Sequence, residues 1–281
     1  RRTSVVWNVF VAKPYKIQIV DQCFPIVGCV PYRGYFSKEN ALRHEQRQMN
    51  SGLDTYVGGV AAYSTLGWFK DSLLNTFINW EDQELARLII HELLHQRIWI
   101  EGDAEFNEGL ASFVGEKGSE VWLEISGPRI DAAIYRERRN QSRRFRKFVV
   151  LARQYLEEQF SRSNDFQVLE KIKFQAMGTV RGCYRDLKLL FGGDRYDALV
   201  HGDRFNNAFI ASVGVYEDDG PAFQRLFHHV GGQWGLFFEK VESLAALDPA
   251  KRDSELNRLA DDQITSQTDE EHPDQIHCES F

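Results

Sequence analysis

The 281-residue sequence predicts an α+β protein that is mostly helical and has a small sheet near its N-terminus. Residues 4–36 are short apolar runs broken by proline and glycine, which is typical of short strands and turns. Residues 55–65 are uncharged and rich in β-branched, aromatic and small side chains, so they predict a further strand. From about residue 119 the apolar residues follow a helical period, with long amphipathic stretches near 130–160 and 163–191.

Two more helices are predicted, one on each side of the strand at 55–65. Residues 37–51 form the first, between a helix-start signal at Ser37 and a stop signal at Gly52. Residues 81–97 form the second, because they contain strong helix formers, acids in the first turn and neither glycine nor proline. Asn79 fits the N-cap of this second helix.

A pair of histidines on the second helix is the most specific chemical signal in the sequence. His91 and His95 fall on one face, because residues i and i+4 of a helix lie above one another. Two neutral imidazoles suit a zinc ion, whose open coordination position lets water ionise near neutral pH. Glu92, between them, is the candidate general base. The alternative is a pair of hydrogen-bonded core histidines, since buried polar groups need partners.

A carboxylate for a third ligand follows on another predicted helix. Twelve residues separate Glu108 from His95, enough for a helix end, a turn at Gly102 and a returning helix. Asp103 and Glu105 are competing carboxylates, although Asp103 also fits an N-cap and Glu105 also fits a supporting or solvent-exposed position. We therefore predict one Zn²⁺, held by His91, His95 and Glu108.

The two histidines with the helix Asn-Glu-x-x-Ala, residues 107–111, resemble the gluzincin metallopeptidases, in which this Glu is the third zinc ligand. More of the chain resembles a bacterial family of predicted zinc aminopeptidases, from about Val5 to Ala260. The segments that carry this resemblance are 23–36, 57–69, 91–96, 106–108 and 206–208. The resemblance implies a zincin-like fold of the gluzincin type, one catalytic zinc and peptide-bond hydrolysis.

With this resemblance, the chain divides into three predicted segments. Residues 1–118 form a zincin-like half with the edge strand and the metal-binding helices. Residues 119–260 form a helical part that walls the cleft. Residues 261–281 are acidic, polar and poor in apolar side chains, so we expect a disordered tail.

The strand before the metal helix is a candidate binding surface for substrate. Peptidases of this type bind substrate as an added strand on a sheet edge beside the metal. Glycines in the strand would allow close approach of another backbone, and a purely packing strand is the alternative. The predicted substrate-edge residues are Gly58, Gly59, Val60 and Ala61.

Hydrolysis also needs a donor that stabilises the oxyanion formed when water attacks the carbonyl. Tyr216, which follows the 206–208 segment, is the first candidate, and Tyr63 and His201 are the next two. Each of these side chains also fits a packing role.

The residues of the 58–63 strand also bear on which peptide bond is cut. An aminopeptidase must pair the free ammonium of its substrate with a carboxylate, because an unpaired desolvated charge is costly. The aminopeptidase N family takes one such acid from a Gly-x-Met-Glu-Asn strand, whereas residues 58–63 here contain none. We rank an aminopeptidase first and a zinc endopeptidase for extended peptides second. A non-catalytic binding protein that retains the metal site is third, because the intact Glu92 favours an enzyme.

Composition agrees with an ordinary soluble enzyme, and the resemblance implies a peptide or protein substrate. The formal net charge of −7 argues against nucleic acid as the main partner. No apolar run approaches the roughly 18 residues needed to span a bilayer, so no transmembrane segment is predicted. The resemblance implies a periplasmic or bacterial cell-envelope location, because family members carry an export segment further upstream.

The four cysteines do not form an obvious framework. Cys23 and Cys29 are close enough in sequence to close a small disulfide loop, which only geometry can decide. Cys183 and Cys278 are expected to be free thiols.

Overall fold

The structure, a computed structural model, describes residues 3–24, 28–61, 74–126, 132–214, 220–261, 276–278 and 281. It confirms an α+β protein that is mostly helical, with a small N-terminal sheet.

The sheet is antiparallel and has a long strand at its centre. Strand β1 (Val6–Ala12) pairs along one side with the short strand β4 (Arg33–Tyr35) and along the other with β5 (Asp54–Val60). Strand β5 therefore lies at an edge of this sheet. A separate two-stranded ladder is formed by β2 (Gln22–Phe24) and β3 (Gly28–Val30).

Ten α-helices lie in the described residues, together with two 3₁₀ turns at Lys188–Phe191 and Gly193–Tyr196. The helices are α1 (Lys38–Asn50), α2 (Asp82–Arg97), α3 (Ala104–Ser126), α4 (Ala132–Ser161), α5 (Phe166–Leu187), α6 (Asp197–Val200), α7 (Asn207–Gly214), α8 (Gly220–His229), α9 (Trp234–Ala245) and α10 (Pro249–Asp261). None of them combines the length and the apolar character needed to cross a membrane. Ser37 caps α1 as predicted, because its side chain accepts a hydrogen bond from the backbone N–H of Asn40.

The chain forms two compact units, each made of segments that are distant in sequence. The first contains residues 1–63, 130–215 and 272–281, and the second contains residues 64–129 and 216–271. Helices α8, α9 and α10 pack in the same unit as the helices that carry His91, His95 and Glu108, and the predicted division into three segments stays a prediction. Composition along the sequence does not indicate that the C-terminal helices pack against α2 and α3.

The first unit has its main core between α4, α5 and α7. Phe148, Val180 and Ile210 are almost fully buried there, and a smaller core lies between α1 and the sheet. The second unit has a separate core formed by α2, α3, α8, α9 and α10, with Leu110 and Phe223 at its centre.

One expectation about the cysteines is wrong. Cys183 and Cys278 are joined by a disulfide, with their Cα atoms 5.8 Å apart, and are not free thiols. The Phe281 ring stacks on Tyr155 at 4.8 Å between centroids, and Ile276 packs against the main core of the first unit. The described residues beyond 275 therefore pack against the first unit, and the disordered tail predicted for 261–281 stays a prediction, because residues 262–275 lie outside the described residues.

The other cysteine pair is also bonded. Cys23 and Cys29 lie opposite each other on β2 and β3, and a disulfide joins them.

Candidate metal centre

Helix α2 places both histidines of the motif on its inner side. The helix begins after Glu81, which makes no side-chain cap, so the predicted N-cap at Asn79 is wrong. His95 is buried, with 5% of its surface exposed, and His91 is half-buried. Their rings meet edge to face with centroids 4.8 Å apart. One helical turn thus brings the two imidazoles together, as the spacing predicts.

Helix α3 approaches α2 closely because two glycines face it. A Cβ atom on Gly115 would lie 3.0 Å from the Arg87 carbonyl oxygen and 3.3 Å from the His91 Cβ atom. A Cβ atom on Gly118 would lie 3.1 Å from two side-chain carbons of Ile90. Side chains at these two positions would therefore push the helices apart, and glycine lets the backbones come together.

The start of α3 is held by two side chains. Asp103 caps it, because its Oδ1 atom accepts a hydrogen bond from the backbone N–H of Phe106 at 3.1 Å. Asn107, which is buried, bonds both backbone groups of Ile100: its Oδ1 accepts from the N–H at 2.9 Å and its Nδ2 donates to the carbonyl at 2.7 Å. These bonds fix the turn between α2 and α3 immediately before Glu108.

Glu108 completes a group of three that can hold a metal ion. The His91 and His95 Nε2 atoms lie 3.2 Å apart. Glu108 Oε2 lies 3.4 Å from His91 Nε2, and its Oε1 lies 3.5 Å from His95 Nε2. Ligands at about 2.0–2.1 Å from a tetrahedral zinc ion are separated by about 3.3 Å. The three donor groups therefore fit the spacing and the chemistry of a zinc site.

The competing carboxylates are not part of this group. The Asp103 carboxylate bonds Arg252 through Oδ2 and the helix start through Oδ1, so both of its oxygens are engaged. Glu105 is exposed on the first turn of α3.

The protonation states of this group suit metal binding. Burial lowers the pKa of His95 and outweighs the opposing effect of the Glu108 charge, so the ring favours its neutral form. Burial opposes ionisation of Glu108, but its contacts with the two imidazoles, above all the hydrogen bond from His91, outweigh burial and hold its pKa below the usual range. Metal ligands must be deprotonated, and both shifts favour that state.

The alternative of two hydrogen-bonded core histidines accounts poorly for these contacts. The Nδ1 atoms of His91 and His95 are buried and have no hydrogen-bond partner within the described part of the chain. The Nε2 atoms face each other and a carboxylate instead of separate protein partners. The carboxylate shared by both Nε2 atoms favours a metal site more than the unpartnered Nδ1 atoms do, because the second nitrogen of a buried histidine normally has a partner with or without a metal ion.

The model of one protein family, described as "Putative aminopeptidase", matches residues 1–256 of the chain. The chain belongs to this family. The family match includes the sheet, both helices of the candidate metal centre and most of α10. No curated protein matches the chain, and no solved structure matches it. The name of the family indicates a hydrolase that acts on peptides.

Four further residues of this aminopeptidase-family protein have predicted catalytic roles. Glu92 is half-buried on α2, next to His91. Tyr216 and Tyr63 lie outside the described residues. His201 lies at the end of α6 in the first unit, where its ring is edge-on to Tyr184 at 5.9 Å. The roles of these four residues stay predictions.

Strand β5 has part of its outer edge covered by side chains. Asn206 Nδ2 donates to the Thr55 carbonyl at 2.9 Å, and Arg204 Nη2 donates to the Val57 carbonyl at 2.7 Å. An added strand could therefore pair with β5 no earlier than Gly58. The predicted substrate-edge role of residues 58–61 stays a prediction, with this limit on its register.

A packing role accounts for one of the glycines in this strand. A Cβ atom on Gly59 would collide with Ser4 Oγ and would lie 3.1 Å from the Trp7 ring. Glycine is thus required at this position by the first unit's own packing.

Sequence reasoning missed the residues that bring α3 to α2. Gly115 and Gly118 are spaced three apart, which places them on one helix face, and this spacing was a readable signal of close packing. Arg252 carried no readable signal, because its partner Asp103 lies 149 residues away.

Proposed function

We propose that this protein is a zinc-dependent peptidase. Its activity is, in this proposal, the removal of residues from the N-terminus of peptides. The convergence of His91, His95 and Glu108 is the observation that carries the proposal. Two imidazoles and one carboxylate form a ligand set used by catalytic zinc sites, which keep a fourth position open. Family membership adds the peptide as substrate class.

When bound, zinc would supply a Lewis acid that polarises the scissile carbonyl and makes water more acidic. His91, His95 and Glu108 would hold it through Nε2 and carboxylate atoms. Glu92 would accept a proton from the attacking water and pass it to the leaving amine. A further donor would stabilise the oxyanion, and Tyr216, Tyr63 and His201 are the candidates that we propose in this order.

We also propose a fold for the unit that carries these ligands. The ligands are carried by two consecutive helices, with two histidines on the first and the glutamate near the start of the second. This order supports a zincin-like unit of the gluzincin type.

An aminopeptidase needs an acid for the free ammonium of its substrate. Asp103 is engaged by Arg252 and by the helix start, so it is a poor candidate for this task. Glu105 is exposed and lies one turn before Glu108, so it is the acid that we assign to the ammonium group.

A zinc endopeptidase is the second candidate function. The observation in its favour is that residues 58–63 contain no acid, so the strand itself offers nothing to an ammonium group. An endopeptidase needs no such partner.

We also propose that the protein works in the periplasm or elsewhere in the bacterial cell envelope. Two disulfides support an oxidising compartment, because reducing conditions in the cytosol disfavour them.

The test is metal analysis of the purified protein combined with a hydrolysis screen of unblocked peptides. We expect one zinc per chain and hydrolysis that stops when a chelator removes the metal and returns when zinc is added. Protein that binds no zinc, or that hydrolyses peptides equally well after chelation, would contradict the proposal.

A further inference from the structure

Arg252 is an almost fully buried cation that contacts the start of the helix carrying Glu108. It lies on α10, with 2% of its surface exposed. Its Nε and Nη2 atoms lie 2.8 and 2.6 Å from Asp103 Oδ2. Its Nη1 atom donates to the Leu247 carbonyl at 2.8 Å. The guanidinium group thus joins the loop before α10 to Asp103, the residue that caps α3.

The contacts at the start of α3 connect this cation to the metal centre. Asp103, which Arg252 holds, also caps α3 through the backbone N–H of Phe106. The guanidinium carbon lies 5.5 Å from the centre of the Phe106 ring, so it contacts the same helical turn twice. Glu108 projects from the following turn of α3.

We infer that Arg252 is a positioning residue for the metal centre: it fixes the start of α3 and thereby sets where the Glu108 carboxylate meets His91 and His95. This inference rests on the proposed zinc site. Helix α10, which is far from the histidine motif in sequence, would thereby contribute to the metal affinity.

The physical argument is that a helix end is the least constrained part of a helix, because its first N–H groups lack partners within the helix. Without Arg252 the Asp103 carboxylate could turn toward solvent, and the first turn of α3 would be free to fray or shift. Residues that orient metal ligands typically contribute 10–100-fold to metal affinity. A small displacement of Glu108 would suffice, because the three donor groups lie within 3.5 Å of one another.

The test measures the zinc dissociation constant by competition with a chromogenic chelator, in the full chain. Arg252→Gln removes the cation, and Asp103→Asn keeps an oxygen that can cap α3 but removes the charge. Asp103→Asn is the milder variant and keeps the test usable if Arg252→Gln fails to fold. Lys173→Ala is the control, because it removes a half-buried ion pair with Asp54 in the other unit.

We expect both variants at the Arg252–Asp103 pair to raise the zinc dissociation constant about 10–100-fold. Zinc should also raise their melting temperature less than it raises that of the wild type. Lys173→Ala should lose thermal stability and keep the wild-type zinc affinity. A merely structural role of Arg252 predicts lower melting temperatures with an unchanged zinc dissociation constant, and that result would overturn the inference alone. Wild-type protein that binds no zinc would overturn the proposed function, and the inference with it.

Discussion

Gly115 of α3 faces the backbone carbonyl of Arg87 on α2 so closely that an added Cβ atom would lie 3.0 Å from the carbonyl oxygen. Backbone atoms cannot move aside as the end of a flexible side chain can. The distance between the two helices that carry His91, His95 and Glu108 is therefore set by the lack of a side chain at this position.

Replacing Gly115 by Ala should separate α2 from α3 and weaken zinc binding. We expect the free energy of unfolding to fall by about 1–3 kcal/mol, because the added methyl overpacks the contact. The zinc dissociation constant should rise, because Glu108 and the histidines lie on the two helices that separate. Chemical denaturation and chelator competition measure the two effects.

Gly178→Ala on α5 is the control, since among the described residues nothing beyond its own helical backbone and chain neighbours lies within 4 Å of a Cβ atom at this position. This variant should gain up to about 1 kcal/mol of stability from the higher helix propensity of alanine. Equal behaviour of the two variants would contradict the role of Gly115.

Replacing His95 by Ala should remove the zinc and lower the melting temperature of the zinc-treated protein, because metal bound only by the native state stabilises it. Elemental analysis and thermal unfolding with and without zinc measure this. His229→Ala, at an exposed position at the end of α8, should keep the wild-type zinc content. Wild-type zinc content in the His95 variant would rule out the ligand assignment.

Replacing Glu92 by Gln should separate catalysis from metal binding. We expect zinc content and melting temperature to stay at wild-type values while kcat falls about 10²-fold or more, because the amide cannot accept the proton. Glu84→Gln on the same helix, which removes an ion pair with Arg87, should retain activity. Undiminished hydrolysis by the Glu92 variant would show that another group is the base.

Acetylation of a peptide's N-terminus distinguishes the two cleavage modes. We expect the free peptide to lose its first residue and the acetylated peptide to be spared, because acetylation removes the ammonium group that an aminopeptidase pairs with an acid. Mass spectrometry of the products reports the bond that is cut. Cleavage of the acetylated peptide at an internal bond would favour the endopeptidase and leave the zinc site unaffected.

Stability should fall as the pH is lowered from about 7 to about 5, and His44 should be one cause. Burial, followed by the charges of Arg33 and Arg47, lowers the pKa of His44 below its usual value of 6.5. The unfolded chain therefore binds a proton at a pH where the folded protein does not. The contribution of His44 is present above about pH 6.5 and is lost as the pH falls toward the lower folded pKa.

Unfolding by denaturant at several pH values checks this effect. His44→Gln, which removes the titrating group, should show a smaller dependence of the unfolding free energy on pH. The part that remains is expected from His95, whose pKa is lowered in the same direction. An identical pH dependence in the variant and the wild type would contradict the assignment.

Local patterns in the sequence were sufficient for the helix that carries His91 and His95, because their alignment follows from the helical repeat alone. The same holds for the N-cap at Ser37 and for the strand at β5, whose signals lie within a few residues. The predicted N-cap at Asn79 failed because the N-cap residue is Glu81, two positions later, whose side chain makes no capping hydrogen bond.

The sequence pattern favoured Glu108 as the third ligand, and only the tertiary structure shows which contacts bring it, and not its neighbours, to the histidines. Asp103, Glu105 and Glu108 lie within one stretch of six residues, and their types do not distinguish them. Asp103 is excluded by Arg252, and Glu108 is brought to α2 by glycines on the same face of α3. The pairing of Cys183 with Cys278, 95 residues apart, was likewise beyond local patterns. The helical repeat acts over one or two turns, whereas these choices depend on contacts between segments that meet only when the whole chain is folded.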